Sequence, residues 1–223
     1  MRVVIAGGHG KIGLRLAALL AARGDVAVGV VRNPEHRADL ESAGATPVVL
    51  DLESASAVEL ADHLRDADAV VFAAGAGPGS GAQRKDTVDR AAAVLLADAA
   101  HLAGVRRYLL VSSTGVDDPP AEGTDEVWAA YLRAKKAAED AIAATDLQWT
   151  ILRPGRLTDD PGTNSVLLRP PPLDAGGVAA TVTRDDTAAV LVALLDTPGT
   201  AGKVLELREG TADVLEATTA VAR

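Results

Sequence analysis

"IAGGHGKIG", residues 5 to 13, follows the apolar run Val3-Val4-Ile5 and places glycine at positions 7, 10 and 13. A chain with 21 glycines meets such spacing by accident, so the surroundings decide what it means. Behind the loop is an apolar run of strand length. Ahead is "KIGLRLAALLAARG", whose Ile12, Leu16, Leu19 and Leu20 recur at helical spacing until Gly24 stops them. Strand, glycine turn and helix together form the arrangement that grips a dinucleotide pyrophosphate. Gly7 permits the tight turn, Gly10 lets phosphate approach the backbone, and Gly13 lets helix and strand pack closely. The start of the helix adds free N–H groups and a positive dipole, so His9, Lys11 and Ile12 join the glycines as candidate cofactor contacts. The plainer alternative is a glycine-rich turn with no ligand.

The same alternation continues to the end of the chain. Apolar runs at about residues 2 to 6, 26 to 31, 46 to 50, 69 to 73, 107 to 112, 148 to 152 and 204 to 207 predict strands. They are rich in Val, Leu and Ile and mostly unbroken, as strands covered on both faces should be. Helical patterns lie between them: "SAVELADHL", where Ser56 and Glu59 form a capping box, and residues 83 to 103, 124 to 145 and 184 to 196. The fold expected is α/β, a doubly wound parallel sheet with a small C-terminal substrate-binding part, in a single domain over residues 1–223. Two stretches break the rhythm. Residues 117 to 126 form an acidic, proline-rich loop, and residues 158 to 177 a longer irregular one. Long irregular loops in ordered domains usually cover sites, so residues 156–183 are the expected substrate lid, a mobile surface insertion being the alternative. Val166, Leu167, Leu168 and Leu173 are available to line a pocket or to pack.

Composition narrows the partners. A net charge of −9 disfavours nucleic acid and anionic membrane surfaces, while leaving room for a local basic pocket that binds a small anion. Without cysteine there are no disulfides or thiolate metal sites, and His9, His36, His63 and His101 show no ligand spacing, so no metal is expected. No stretch approaches the ~20 apolar residues that cross a bilayer. The expectation is a soluble cytoplasmic protein acting on a small molecule, with its oligomeric state open.

The carboxyl ends of the strands supply the other candidates, because ligands of doubly wound sheets collect there. Where NAD-binding chains usually carry an acid for the ribose hydroxyls, "VGVVRNPEHR" places Arg32 and Asn33, with Arg37 a turn later. A guanidinium holds a 2′-phosphate by paired, charge-assisted hydrogen bonds, which favours NADP (NADPH) over NAD. An ordinary solvated charge is the alternative. Asp51 and Leu52 end the third strand, where the carboxylate is placed either to meet the adenine amino group or to cap the next helix. Ala73, Ala74 and Gly75 keep the end of the fourth strand small enough for a ribose to approach.

"YLRAK" sets Tyr131 and Lys135 four apart on one helical face. An ammonium beside a phenol favours the phenolate and makes it usable for proton transfer near neutrality, and the same lysine can hold the nicotinamide ribose. The preceding strand ends in Ser112, Ser113 and Thr114. Ser113 is the first candidate to hold a substrate carbonyl and Thr114 the second, while Ser112 is a candidate cofactor contact.

These segments, with "LLVSSTG", "YLRAKKAAED", "LQWTILRPGRLTDDPGT" and "VTRDDTAAVLVALLD", occur in an order that resembles the atypical short-chain dehydrogenase/reductase proteins that bind NAD(P)H. The resemblance covers nearly the whole chain. It implies a Rossmann sheet in the order 3-2-1-4-5-6-7 and places the residues after the sixth strand, Arg153, Pro154, Gly155 and Arg156, beside the nicotinamide. It also implies that Ser113, Tyr131 and Lys135 form the triad that moves hydride and proton. The expected function is NADPH-dependent hydride transfer to a carbonyl, quinone or related small acceptor. The resemblance also implies non-catalytic NADP-binding redox sensors as an alternative, and an NAD-dependent epimerase stands as a further one.

Overall fold

The computed structural model describes residues 1–77, 79–118, 120, 122–173 and 180–223. Its core begins with β1 (Arg2–Ala6), whose successive side chains face opposite sides of the sheet. Val3 and Ile5 pack in one apolar layer, and Val4 and Ala6 in the other. Both layers are dry, which is why the strand reads as an unbroken apolar run.

On the first side, α1 (Lys11–Ala22) contributes Ile12, Leu16, Ala17 and Leu20, beside α7 (Arg184–Leu195). The second side is covered by α3 (Ala57–His63), α5 (Ala92–Ala103) and α6 (Glu126–Ala143). The capping box expected at Ser56 and Glu59 is present: Ser56 Oγ accepts from Glu59 N, and the Glu59 carboxylate accepts from Ser56 N.

The parallel strands β2 (Val26–Val31), β3 (Thr46–Val49), β4 (Ala69–Phe72), β5 (Arg107–Val111), β6 (Gln148–Pro154) and β10 (Lys203–Glu209) complete the expected order β3-β2-β1-β4-β5-β6-β10. Register places Ile5 beside Gly29 and Val71, so the carboxyl ends of β1, β2 and β4 open onto one edge.

Four features depart from the sequence expectation. The first is the helix expected over 83 to 103. It begins as α4 (Gly81–Arg84), runs through a π-helical segment, Lys85–Ala91, and only then becomes α5. In the π segment Lys85 and Asp89 are buried.

The second concerns the irregular lid. Within 156–183, β7 (Arg156–Thr158) pairs with β9 (Thr181–Thr183). β8 (Ser165–Arg169) lies antiparallel on β10 and extends the main sheet. Val166 and Leu168 are therefore core residues, and Leu173 is also buried, instead of lining an open pocket. The connecting turn is fixed as well, because the buried Asp186 carboxylate accepts from Thr163 N and Asn164 N. Residues 174–179 of the expected lid lie outside the described residues.

The third is an end of the sheet that the sequence pattern does not announce, β11 (Ala212–Asp213) and α8 (Val214–Ala222), which cover β8. A short α2 (Arg37–Ser42) is a further addition; its Leu40 fills the space that Gly29 leaves on β2. Among the described residues no helix is long and apolar enough to cross a membrane.

Candidate cofactor and active site

The glycine loop is a tight backbone crossing. Gly7 has φ +84°, and a Cβ on it would meet Ala74 N and Cα at 2.6 Å. A Cβ on Gly13 would collide with the Gly7 carbonyl oxygen, so the helix can approach the loop only because that position is glycine. Gly10 is the N-cap residue of α1, with no side-chain cap and no acid in the first turn of the helix. The positive end of α1 is thus not neutralised by a side chain of its own.

A cleft of about 350 Å³ opens beside this loop. Of the residues expected at the cofactor, it is lined by Gly7, His9, Gly10, Arg32, Asn33, Asp51, Leu52, Ala74 and Gly75. Asp51 does not cap α3, a role taken by Ser56; its Oδ1 accepts from Glu53 N at 3.1 Å. Asn33 caps the short helical turn that follows it, accepting from Glu35 N.

Other expected contacts serve elsewhere. Ile12 and Gly13 are buried against the sheet, and Ala73 packs on the same layer. The Lys11 ammonium reaches Asp159 at 2.5 Å, and Arg184 and Arg15 meet the same carboxylate at 3.0 and 3.6 Å. This cluster ties the first turn of α1 to the loop after β7, and the hydrogen bond from Lys11, with the charges of Arg184 and Arg15, holds the Asp159 carboxyl below its ordinary value.

Three polar cleft residues lie outside the sequence-based expectation. His36 stacks on His9 with ring centroids 3.5 Å apart. Glu53 accepts from Arg32 Nη1 at 3.0 Å, from Arg84 Nη2 at 2.6 Å and from Thr87 Oγ1 at 2.7 Å. Hydrogen bonds from Arg84 and Thr87, with the charges of both arginines, hold the Glu53 carboxyl below its ordinary value. Arg84 comes from α4, thirty-one positions along the chain from Glu53. Helical periodicity gives no sign of that pairing.

A second polar group lies under α6. Lys135 is 4% exposed, donates to the Val111 carbonyl at 3.0 Å, and has Asp89 Oδ1 at 3.3 Å. That contact is an ion pair without a hydrogen bond and leaves Asp89 Oδ1 otherwise unpartnered; Asp89 Oδ2 accepts from Ala76 N. Two ammonium groups lie near Tyr131, Lys85 Nζ at 5.6 Å and Lys135 Nζ at 5.8 Å from its ring centroid. Trp128 stacks on the same ring at 5.0 Å.

At the end of β5, Ser113 Oγ donates to the Thr114 carbonyl, while the buried Ser112 Oγ has no partner among the described residues. Thr114 N donates to the Pro154 carbonyl, and Gly155 N to Leu207. The ends of β5 and β6 are thereby bound together. Arg156 N donates to Ala180, and its side chain is exposed. Arg153 turns the other way, pairing with Glu139 at 2.6 Å and Asp117 at 2.5 Å.

These features fit a dinucleotide. A glycine cradle that a Cβ would fill, an uncapped helix start, two guanidiniums at one end of the cleft and an orphaned buried hydroxyl at the end of β5 are the donor set that a pyrophosphate and two riboses require.

Residues 7–198 match the family model described as NAD(P)H-binding. The chain is 34% identical over 218 residues, 97% of this chain and 98% of the other, to a Bacillus subtilis protein named "Uncharacterized sugar epimerase YhfK". A solved structure from Bacillus halodurans, "Putative NAD-dependent epimerase/dehydratase", superposes with TM-score 0.90 at 32% identity, over 99% of this chain and all of that one. The oxidoreductase ylbE from Lactococcus lactis superposes with TM-score 0.83 at 26% identity, over 99% of this chain and 96% of that one.

Proposed function

The chain belongs to the NAD(P)H-binding family, and we propose that within it this protein is an NADPH-dependent reductase passing hydride to a carbonyl, quinone or related small acceptor. The observation that carries the reaction is Tyr131 with the ammonium groups of Lys85 and Lys135 at 5.6 and 5.8 Å from its ring centroid. In this reading Tyr131 hands its proton to the acceptor oxygen as hydride arrives, the general-acid role open to a positioned phenol.

Gly7, Gly10 and the start of α1 would hold the pyrophosphate, Arg32 and Arg84 the phosphorylated adenosine ribose, and Ser112 and Lys135 the nicotinamide ribose. When bound, the nicotinamide supplies hydride. Lys135 has three N–H donors, of which the Val111 carbonyl takes one and the Asp89 carboxylate attracts another, leaving one to offer. Ser113 exchanges its Thr114 carbonyl for the acceptor oxygen, and Tyr131 delivers the proton to that oxygen. Trp128, stacked on Tyr131, restrains the ring.

The names of two relatives point to epimerisation instead, in which hydride is returned to the substrate and cofactor is not consumed. The guanidinium pair, where an NAD-retaining site would set an acid alone, favours reduction with NADPH. NADPH consumption against a panel of quinones, flavins, aldehydes and ketones is the test, comparing the unmodified chain with Tyr131→Phe. Turnover that the substitution lowers by about 10²-fold or more supports the reading. Tight NADPH binding with no oxidation by any acceptor overturns it and leaves the sensor or epimerase reading.

A further inference from the structure

We infer that Glu53 narrows the preference for NADPH by occupying, at the adenosine end of the cleft, the donors that a 2′-phosphate would take. The inference deepens the NADPH reading and rests on it. Glu53 is one of the residues that line the cleft. It is 25% exposed, lies after β3 in a turn held by Asp51, and faces the cleft. Its partners are the two guanidiniums best placed for a phosphate, with Thr87 as a third donor.

A phosphate monoester and a carboxylate present the same thing to a guanidinium, a pair of oxygens for a forked set of N–H donors. Arg32 and Arg84 both reach Glu53 Oε2, at 3.0 and 2.6 Å. A 2′-phosphate taking those donors must displace the carboxylate or share them with it, at close range to a like charge. With Glu53 ionised the three side chains sum to one positive charge, and with a neutral residue there they sum to two. The 2′-hydroxyl of NADH presents the opposite case, because a hydroxyl donates to a carboxylate and does not compete for the arginines. Glu53 therefore weakens NADPH and supports NADH, narrowing the difference that the two arginines create.

The test measures dissociation constants of the full chain for NADPH and NADH by calorimetry at one fixed ionic strength, in the unmodified protein, Glu53→Gln and Arg84→Ala. Glutamine keeps an acceptor for Thr87 and the arginines, so it removes the charge with little change of shape. Glu53→Gln is expected to tighten NADPH about tenfold and leave NADH unchanged or weaker, as removal of one like charge beside a phosphate implies. Arg84→Ala is expected to weaken NADPH by at least about tenfold and to leave NADH unchanged. If Glu53→Gln leaves NADPH unchanged or weakens it, the carboxylate orders the arginines and does not compete with phosphate, and the inference fails while the cofactor reading stands. If neither dinucleotide binds the unmodified chain, the cofactor reading itself fails. Urea unfolding of the three proteins, each fully folded under the titration conditions, shows that the differences arise at the cleft and not from loss of folded protein.

Discussion

Lys135 Nζ and Asp89 Oδ1 lie 3.3 Å apart with both side chains almost fully buried, joining the middle of α6 to the π-helical turn that precedes α5. Neither charge reaches water, so each depends on the other. Removing one strands its partner in a region of low dielectric, which costs more than the pair itself contributes. Asp89→Ala is expected to lower the unfolding free energy by about 3–5 kcal/mol, read from urea denaturation. Asp89→Asn, which still offers an acceptor to Ala76 N, should cost less. A loss below about 1 kcal/mol for the alanine variant would show that Lys135 finds another partner or water.

Gly13 and Gly24 separate two meanings of glycine. A Cβ on Gly13 runs into the Gly7 carbonyl oxygen, and backbone on both sides leaves nothing flexible to move. Gly13→Ala should therefore displace the loop, cost about 1–3 kcal/mol and weaken NADPH at least tenfold. Gly24 has φ +85° with nothing within 4 Å of where a Cβ would stand, so Gly24→Ala meets only the strain of the left-handed region, about 1–2 kcal/mol, and leaves cofactor affinity unchanged. Calorimetric titration beside urea unfolding distinguishes the two. Equal effects on binding would refute the packing role of Gly13.

The sequence is legible where the determinants are local. β1 and α1 follow from an apolar run, three glycines and a helical period, all within residues 2–22. The strand Ser165–Arg169 hides in a loop-like stretch because prolines, glycines and aspartates flank it on both sides, and its partners, Glu206 to Glu209, lie far along the chain. The cleft is half legible for a similar reason. Arg32 sits where a strand-end rule places it, but Glu53 becomes its neighbour only through the pairing of β2 with β3, and Arg84 only because α4 brings it to the same carboxylate. Likewise the Tyr131–Lys135 spacing is visible, whereas Lys85 and Asp89 turn inward through a π-helical register that periodicity does not reveal.

Arg153 shows a second way of satisfying a buried charge. Burial lowers the pKa of its guanidinium, but hydrogen bonds to Glu139 and Asp117 outweigh that and raise it above the ordinary arginine value. Glu139 is buried and Asp117 half in water, so the first contact matters more. Arg153→Ala should cost about 3–5 kcal/mol, chiefly by leaving Glu139 unpaired, and the double variant Arg153→Met with Glu139→Leu should recover much of the loss. Urea unfolding of the two proteins checks this. A double variant as unstable as the single one would mean that the pair contributes through packing and not through charge.

Acid should act on Glu53 in a direction its surroundings dictate. Its folded-state carboxyl is held below the ordinary value by Arg84 first and Thr87 next, so the folded state binds the proton more weakly than the unfolded chain. Such a group contributes stability that is fully present above its unfolded value and is lost as pH falls through its folded value. At pH 7 Glu53→Gln should therefore be less stable than the unmodified chain, by no more than about 1 kcal/mol because solvent screens the contact. From pH 8 down to about pH 5 that difference should stay constant, then shrink below the ordinary carboxylate range and vanish once both states are protonated. Urea midpoints of the two proteins, taken in parallel from pH 8 to pH 3, follow the difference directly. A gap that persists unchanged at pH 3 would mean that Glu53 stabilises the fold through shape and not through its charge, and would also remove the electrostatic basis for its competition with phosphate.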